Sequence, residues 1–467
     1  MKSKITEIVD VINSRQQTAV EVVTAALDSA ESVHDYHALL SLTKDRALER
    51  ARTIDEKIAR GETVGKLAGV PFVVKDNFLA YGASTTAAST MLEDFDAPLQ
   101  ATAVEKLELE GAICIGKANL DAFAHGGSTE NSAFGPTKNA KDMTRVAGGS
   151  SGGSAVITAL DVVPFALGTD TGGSIRQPAG FNGVYGIKPT YGAVSRFGVV
   201  AMSSGLDTIG CFARSAEDID IVMSIMAGRD KRDMTSIDGI YDQAPELKTR
   251  TIGLIKETMT DDVQPEVRQA IRTYADAMIA AGHTVKDVSL DMIRYTLAMY
   301  YIIVPAEISS NLARYDGVRY GMRAESAKTL SDLYGMTRDA GFVAENKRRI
   351  MLGSYVLSSG FFDAYYLKAQ KARTLLIAQF DRLFSECDFL LLPTSPTTAF
   401  KLGENTSDPI SMYLADAMTV PASLAGLPAL SVPVGEDEQG LSIGAQLVGP
   451  RLTDKHLIAF AKTLEVK

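Results

Sequence analysis

The sequence predicts an α/β protein, a large mixed and twisted β-sheet covered by helices on both faces. Three observations predict it. Apolar runs too short for helices recur along the chain, segments with apolar residues at helical spacing lie between them, and no low-complexity linker or internal repeat divides them. From Ile5 to about Arg60 the spacing is helical, as in Ile5, Ile8, Val9 and Ile12, then Val20, Val23, Ala26 and Leu27. Residues 1–60 therefore read as a helical N-terminal layer. The stretch Gly69–Asp76 reads as a buried strand, Val70–Val74, ending at Lys75. A helix over Ala101–Gly111, a strand over Ala112–Gly116, a helix over Gly153–Leu160 and a third strand over Asp161–Leu167 follow. Further strands are expected at Ile252–Ile255, Phe389–Leu392, Ala429–Val434 and Ser442–Val448, with a helix at Pro265–Ala281. Met292–Arg382 is the least sheet-like part and reads as a helical insertion that shapes a pocket, with exposed charge in AENKRRI. One contiguous domain is expected over residues 1–467.

Composition narrows the function. A chain of 467 residues with 46% hydrophobic residues can bury a large core. A net charge of −10 argues against binding nucleic acid through its own surface, so any RNA role needs a partner. Cys114, Cys211 and Cys387 lie far apart with no CxxC, which implies neither zinc nor a disulfide framework and favours buried thiols. Polar residues break every apolar run of MKSKITEIVDVINS, so no secretory or membrane segment is read there and a cytoplasmic location is expected.

Two glycine loops carry serines: GGSSGGSA at Gly148–Ala155 and GTDTGGSIR at Gly168–Arg176. Neither ends in GK[ST] nor matches GxGxxG before an acidic residue, which weighs against a phosphate cradle. GGSSG fits the GxSxG elbow, but polar KNAKDMTRVA precedes it where a hydrophobic strand is needed, and His283 and His456 have no telling surroundings. Taken singly, each loop reads as a tight turn.

Lysine changes that reading. Ser174 follows two glycines after a buried strand, so the amides of Thr171, Gly172, Gly173 and Ser174 can face one point, as an oxyanion hole beside a nucleophile requires. Ser174 would attack, Ser150 would relay its proton and Lys75 would accept it. For this Lys75 must fall from near 10.4 to near neutrality, equivalent to about 4 kcal/mol of preference for the neutral form, which burial can supply. The ordinary alternative is an ion pair with adjacent Asp76.

With GGSSGGS followed by GTDTGGSIRxPA, the sequence resembles the amidase signature family, whose members use a Ser–cis-Ser–Lys triad. The resemblance matches Ser174 to the nucleophile, Ser150 to the bridging serine with a cis peptide and Lys75 to the base. Ser151, Asp170 and Arg176 match its supporting residues. The likeness extends through GSTENSAFGPTKN, RFGVVAMSSGLDTIG, SSNLARYDGVRYG, KRRIMLGSYVLSSGFFDAYY and DPISMYLADAMTVPASLAGLPALSVPVG, which look like the A subunits of glutamyl-tRNA(Gln) or aspartyl-tRNA(Asn) amidotransferases. It implies a glutaminase that supplies ammonia to a B subunit, where ATP with Mg is used and mischarged tRNA is amidated, and a small C subunit that completes a heterotrimer. No cofactor is expected on this chain. The family pattern places a carboxylate-binding cation at Arg349, an amine-binding anion at Asp416 and a tyrosine at Tyr300 or Tyr301, with Gly127 and Ser128 lining the pocket. The plain alternatives are a solvated charge run around Arg349 and a capping or surface role for Asp416. His125 departs from the family, which more often carries an apolar residue such as methionine there. A stand-alone amidase, and a scaffold with an idle triad, are the competing readings.

Overall fold

In the computed structural model, residues 4–242, 249–406 and 409–465 are described. The N-terminal layer starts with helices α1 (Lys4–Asn13), α2 (Ala19–Ser32) and α3 (Lys44–Ala59). Its residues 1–3, and Asp408 in the later matched segment, lie outside the described residues. α2 begins where Thr18 and Glu21 cap each other reciprocally, which satisfies two of the first turn's free amides.

Eleven strands form one mixed sheet: β1 (Leu39–Leu42), β2 (Pro71–Lys75), β3 (Ile113–Ala118), β4 (Phe165–Asp170), β5 (Tyr185–Lys188), β6 (Thr208–Ala213), β7 (Thr251–Ile255), β8 (Thr284–Val288), β9 (Phe389–Pro393), β10 (Ala429–Glu436) and β11 (Ser442–Val448). Their order across the sheet is β1-β3-β2-β4-β6-β5-β10-β11-β9-β7-β8. β2 runs parallel to both β3 and β4, whereas the stretch from β4 through β9 is antiparallel. Alternation along β2 divides the core. Phe72 and Val74 join the apolar cluster that holds Leu107, Ile219 and Val222. Val73 joins another with Val23 and Leu27 of α2 and Ala47 and Ile54 of α3. Helices thus cover both faces, as the apolar runs predict.

Two expectations need correction. The third apolar strand starts at Phe165 and not at Asp161, because Asp161 turns with a φ of 59° after the helix Gly152–Ala159. It also runs on to Asp170, so its last residues enter the second glycine loop. The N-terminal layer is not wholly helical: β1 pairs antiparallel with β3 at the edge of the sheet. LLSL alternates too weakly for its strand character to be read from four residues. The insertion contains four long helical segments, Thr296–Asn311, Leu330–Gly341, Ala344–Val356 and Lys368–Phe384, separated by turns and an irregular stretch before Leu330. All three cysteines are buried and free.

Candidate active site

Parallel strands place the polar ends of β2 and β4 side by side, because Val74 is in register with Leu167. Lys75 Nζ therefore reaches Thr169 Oγ1 at 2.9 Å and Ser150 Oγ at 2.7 Å. The Gly149–Ser150 peptide is cis, as the resemblance implies. A side chain at Gly149 would meet Asp121 Oδ2 at 2.3 Å and the amide of Ser128 at 2.7 Å, so only glycine fits this crossing. Lys75 and Ser150 are fully buried, and Ser174 retains 8% exposure. The lysine matched to the base is inside and the matched nucleophile reaches the surface of the site.

The expected alternative partner of Lys75 is taken by another residue. Asp76 pairs with Lys117 at 2.7 Å and accepts from Thr86, on the opposite side of the strand. Lys75 has no carboxylate within ion-pair distance among the described residues. Burial pushes it down to about 7, although Asp121, Asp170 and Asp207 act in the other direction. A lysine so lowered can lose its proton near neutral pH and accept one from a neighbouring hydroxyl. Asp121, which accepts from the amides of Thr129 at 2.9 Å and Asn131 at 3.0 Å, is raised by burial to about 6.

The second glycine loop is held from several sides. Arg176 donates to Asp170 Oδ2 at 2.9 Å and Oδ1 at 2.8 Å, and to Ser423, Thr419 O and Gln446, so all five of its N–H groups have acceptors. Burial raises Asp170 and Arg176 more than offsets it, leaving the carboxyl below its ordinary value. Ser151 donates to Thr169 O at 3.1 Å, and its amide donates to Ser174 O at 3.1 Å. The Thr171 hydroxyl donates to Asp207 at 2.7 Å. The amides of Gly172, Gly173 and Ser174 donate to no other protein group among the described residues. Ser150 and Ser174 share no hydrogen bond, so the lysine-to-serine link is formed and the serine-to-serine link is not.

The residues that the resemblance matches to substrate recognition come mainly from the insertion and from the segment after residue 409. Arg349 is buried, and this corrects the exposed-charge reading of AENKRRI: Lys347 and Arg348 face outward and Arg349 faces in. Its Nε donates to Glu345 at 2.7 Å, and its guanidinium lies over Tyr301 and Tyr413 at 5.3 and 5.6 Å from the ring centres. Tyr301 donates to Asp416 at 3.4 Å and stacks on Tyr413 at 3.9 Å. Tyr300 lies elsewhere: a side chain at Gly172 would meet its ring at 2.6 Å. Tyr301 thus contacts the two charged residues and Tyr300 covers the nucleophile loop. Surrounding protein pushes Asp416 up to about 7, against the pull of Arg349. Ser128 and Arg349 line one cavity with Glu345 and Tyr413, and Gly127 lies against Asp416, 3.6 Å from where its side chain would begin. His125 is wholly buried beside this wall.

Sequence reasoning missed several members. Gln177 ties the two loops, donating to Gly127 O and accepting from the Gly149 amide, each at 2.8 Å. Its only signal is adjacency to Arg176. Thr169 and Tyr413 carry no signal beyond their place in matched segments, and Glu345 none beyond its charge in AENKRRI. Among the described residues no group of three or more His, Cys, Asp or Glu is placed to hold a metal, and no helix is long and apolar enough to cross a membrane.

An α/β sheet whose strand ends bring a buried, carboxylate-free lysine onto a serine between glycine loops defines a hydrolase-type site built on serine and lysine. The comparison with known families agrees, and the chain belongs to the amidase family, whose pattern matches residues 21–458. It is 51% identical to the A subunit of glutamyl-tRNA(Gln) amidotransferase from Thermosynechococcus vestitus, over 97% of this chain and 95% of the relative. The crystal structure of the same-named subunit from Thermotoga maritima superposes with a TM-score of 0.75 at 36% identity, covering 95% of this chain and 93% of that one. A bacterial aryl acylamidase of the amidase signature family superposes with a TM-score of 0.86 at 27% identity, covering 99% and 96%. The same fold therefore serves different amides, and the substrate must be read from the pocket.

Proposed function

We propose that this chain is the glutaminase subunit of a tRNA-dependent amidotransferase. The observation that carries the reading is the pairing of Arg349 and Asp416 through Tyr301, with Ser128 beside the cation and Gly127 beside the anion. A cation and an anion on one aromatic wall match the α-carboxylate and α-ammonium of an amino acid, and bidentate guanidinium recognition suits the carboxylate. Glutamine is the amino acid whose side-chain amide a serine hydrolase would cleave.

Neutral Lys75 accepts the proton of Ser150, which accepts that of Ser174 as Ser174 Oγ bonds to the amide carbon. The oxyanion is held by the amides of Thr171, Gly172, Gly173 and Ser174. The proton returns to the leaving nitrogen, the C–N bond breaks and ammonia departs. Water then attacks the acyl-serine along the same proton route and releases glutamate. Ser151, Asp170 and Arg176 position the loop throughout. The Ser174–Ser150 link, absent in the free arrangement, must form when substrate is bound.

Residues 1–467 act as one amidase domain in the cytoplasm. Ammonia passes to a B subunit, where ATP, Mg and mischarged tRNA are bound, and a C subunit completes the heterotrimer. The acidic charge of this chain suits a division of labour in which tRNA is handled by the partner. The test is ammonia release from glutamine by the wild type and Ser174→Ala, alone and with B and C subunits, ATP and mischarged tRNA. Release that rises with partners and falls by roughly 10⁴-fold in the variant is expected. Hydrolysis of other amides but not of glutamine would instead assign a stand-alone amidase, and no trapped acyl-serine in any condition would assign an idle scaffold.

A further inference from the structure

Two buried atoms, Nε2 of His125 and Oδ1 of Asn346, have no hydrogen-bond partner among the described residues. Both side chains have zero exposure. Each is oriented by its other polar atom. His125 Nδ1 lies 2.7 Å from Phe123 O, which makes Nδ1 the protonated nitrogen and leaves a lone pair on Nε2. Asn346 Nδ2 donates to Ala122 O at 2.9 Å, so Oδ1 is its free acceptor. These carbonyls belong to consecutive residues, and the two acceptors therefore sit at one junction between the turn Ala122–Ala124 and the helix Ala344–Val356. Burial pushes His125 down to about 3, and the Arg349 cation acts in the same direction, so the ring is a neutral acceptor.

Arg349 carries donors complementary to these acceptors and makes no hydrogen bond to either in this arrangement. It follows Asn346 by three residues on the same helix, which puts both on one side. The chain running on from His125 supplies Gly126 and Ser128 to the cavity that Arg349 lines. A guanidinium has five N–H groups. Glu345 takes the one on Nε, and nothing among the described residues takes the four on the terminal nitrogens. A bidentate carboxylate uses two of those and leaves two. We propose that His125 and Asn346 are positioning residues for Arg349, accepting on Nε2 and Oδ1 the two guanidinium N–H groups that a bound carboxylate leaves over. The inference rests on the reading of Arg349 as the carboxylate site. It gives the departure at His125 a role, since methionine offers no comparable acceptor.

The test is steady-state glutamine hydrolysis by the assembled enzyme carrying His125→Met, His125→Gln or Asn346→Leu. His125→Met is expected to raise KM for glutamine by about tenfold with kcat within about twofold of wild type, the scale of one lost hydrogen bond to a charged group. His125→Gln, which restores a carbonyl acceptor, is expected to return KM to within about threefold of wild type, and Asn346→Leu to raise KM in the same direction as His125→Met. An unchanged KM in both His125→Met and Asn346→Leu overturns the proposal, as does equal impairment of the Met and Gln variants, which would assign His125 to packing alone. If the wild type itself releases no ammonia from glutamine in any condition, the carboxylate reading falls first and takes this one with it. That failure is seen before any variant is made.

Discussion

Lys75 and Lys117 stand at the ends of neighbouring parallel strands, both fully buried, and meet opposite surroundings. Lys117 is in register with Val74 and so shares the face of Asp76, two residues on from Val74. It has a carboxylate at 2.7 Å, with Phe78 O and Thr85 Oγ1 each at 2.9 Å. Lys75, one residue out of phase, points to the other face and finds, among the described residues, only the hydroxyls of Ser150 and Thr169 and, at 3.5 Å, the Thr169 carbonyl. Burial without a countercharge lowers a lysine. The pleat of β2 thus separates a lysine paired with a carboxylate from one held by hydroxyls, and the separation can be attacked from either side.

The largest expected effect is that of Lys75→Met, which removes the proposed base and is expected to cost roughly 10³- to 10⁴-fold in kcat for glutamine hydrolysis. Its effect on folding has the opposite sign. The folded value of Lys75, about 7, lies below its ordinary 10.5, so between those pH values the unfolded chain holds one more proton than the folded chain. The penalty is full below about pH 7 and fades as pH rises to 10.5. The methionine variant is therefore expected to be more stable than wild type at neutral pH, with its advantage narrowing by about 1.4 kcal/mol per pH unit across that window. Urea unfolding at several pH values measures this, and a constant difference would mean that Lys75 is not neutralised by folding.

Lys117→Met is expected to cost roughly 3–5 kcal/mol of stability, because Asp76 is left buried without its countercharge. The pH at which activity rises should stay where it is. A shift in that midpoint would mean that the two lysines are electrostatically coupled and that their contrast is not one of separate faces.

Arg349→Ala extends the comparison from the sheet to the insertion. It is expected to lower kcat/KM for glutamine by roughly 100-fold, mostly through KM, since a guanidinium that binds carboxylate alike in ground and transition states leaves kcat nearly unchanged. A loss confined to kcat would place Arg349 in the chemistry instead.

The smallest effect is on a pH profile. Lys75 and Asp416 both lie at about 7 in the free protein, and both must have lost a proton for glutamine to bind and react. Below that pH, log(kcat/KM) is expected to fall with a slope approaching about 2 in the wild type and about 1 in Asp416→Asn, while kcat falls with a slope of about 1 in both. Equal slopes would remove Asp416 from ammonium recognition.

These contrasts also explain which parts of the protein were legible in the chain. The glycine loops were readable because each requirement is local: a strand end, glycines that let backbones approach, and a serine at the turn. Strand positions such as Phe389–Leu392 were readable because apolar runs report burial directly. β1 was missed because four residues at a sheet edge carry little pattern. AENKRRI was misread in part because one helical turn sends Glu345 and Arg349 inward and Lys347 and Arg348 outward, which spacing alone does not reveal.

By itself the sequence determined the α/β class, the two serine loops, the lysine at a strand end and the likeness that joins them, since all of these rest on contiguous residues. Tertiary structure decided that Asp76 belongs to Lys117 and not to Lys75, that Tyr301 and not Tyr300 meets Asp416, and that His125 and Asn346 share one junction with two bare acceptors. The physical reason is common to all three. Each depends on which face of a strand or helix a side chain takes and on what another, distant segment brings against that face, and sequence neighbours carry no information about that meeting.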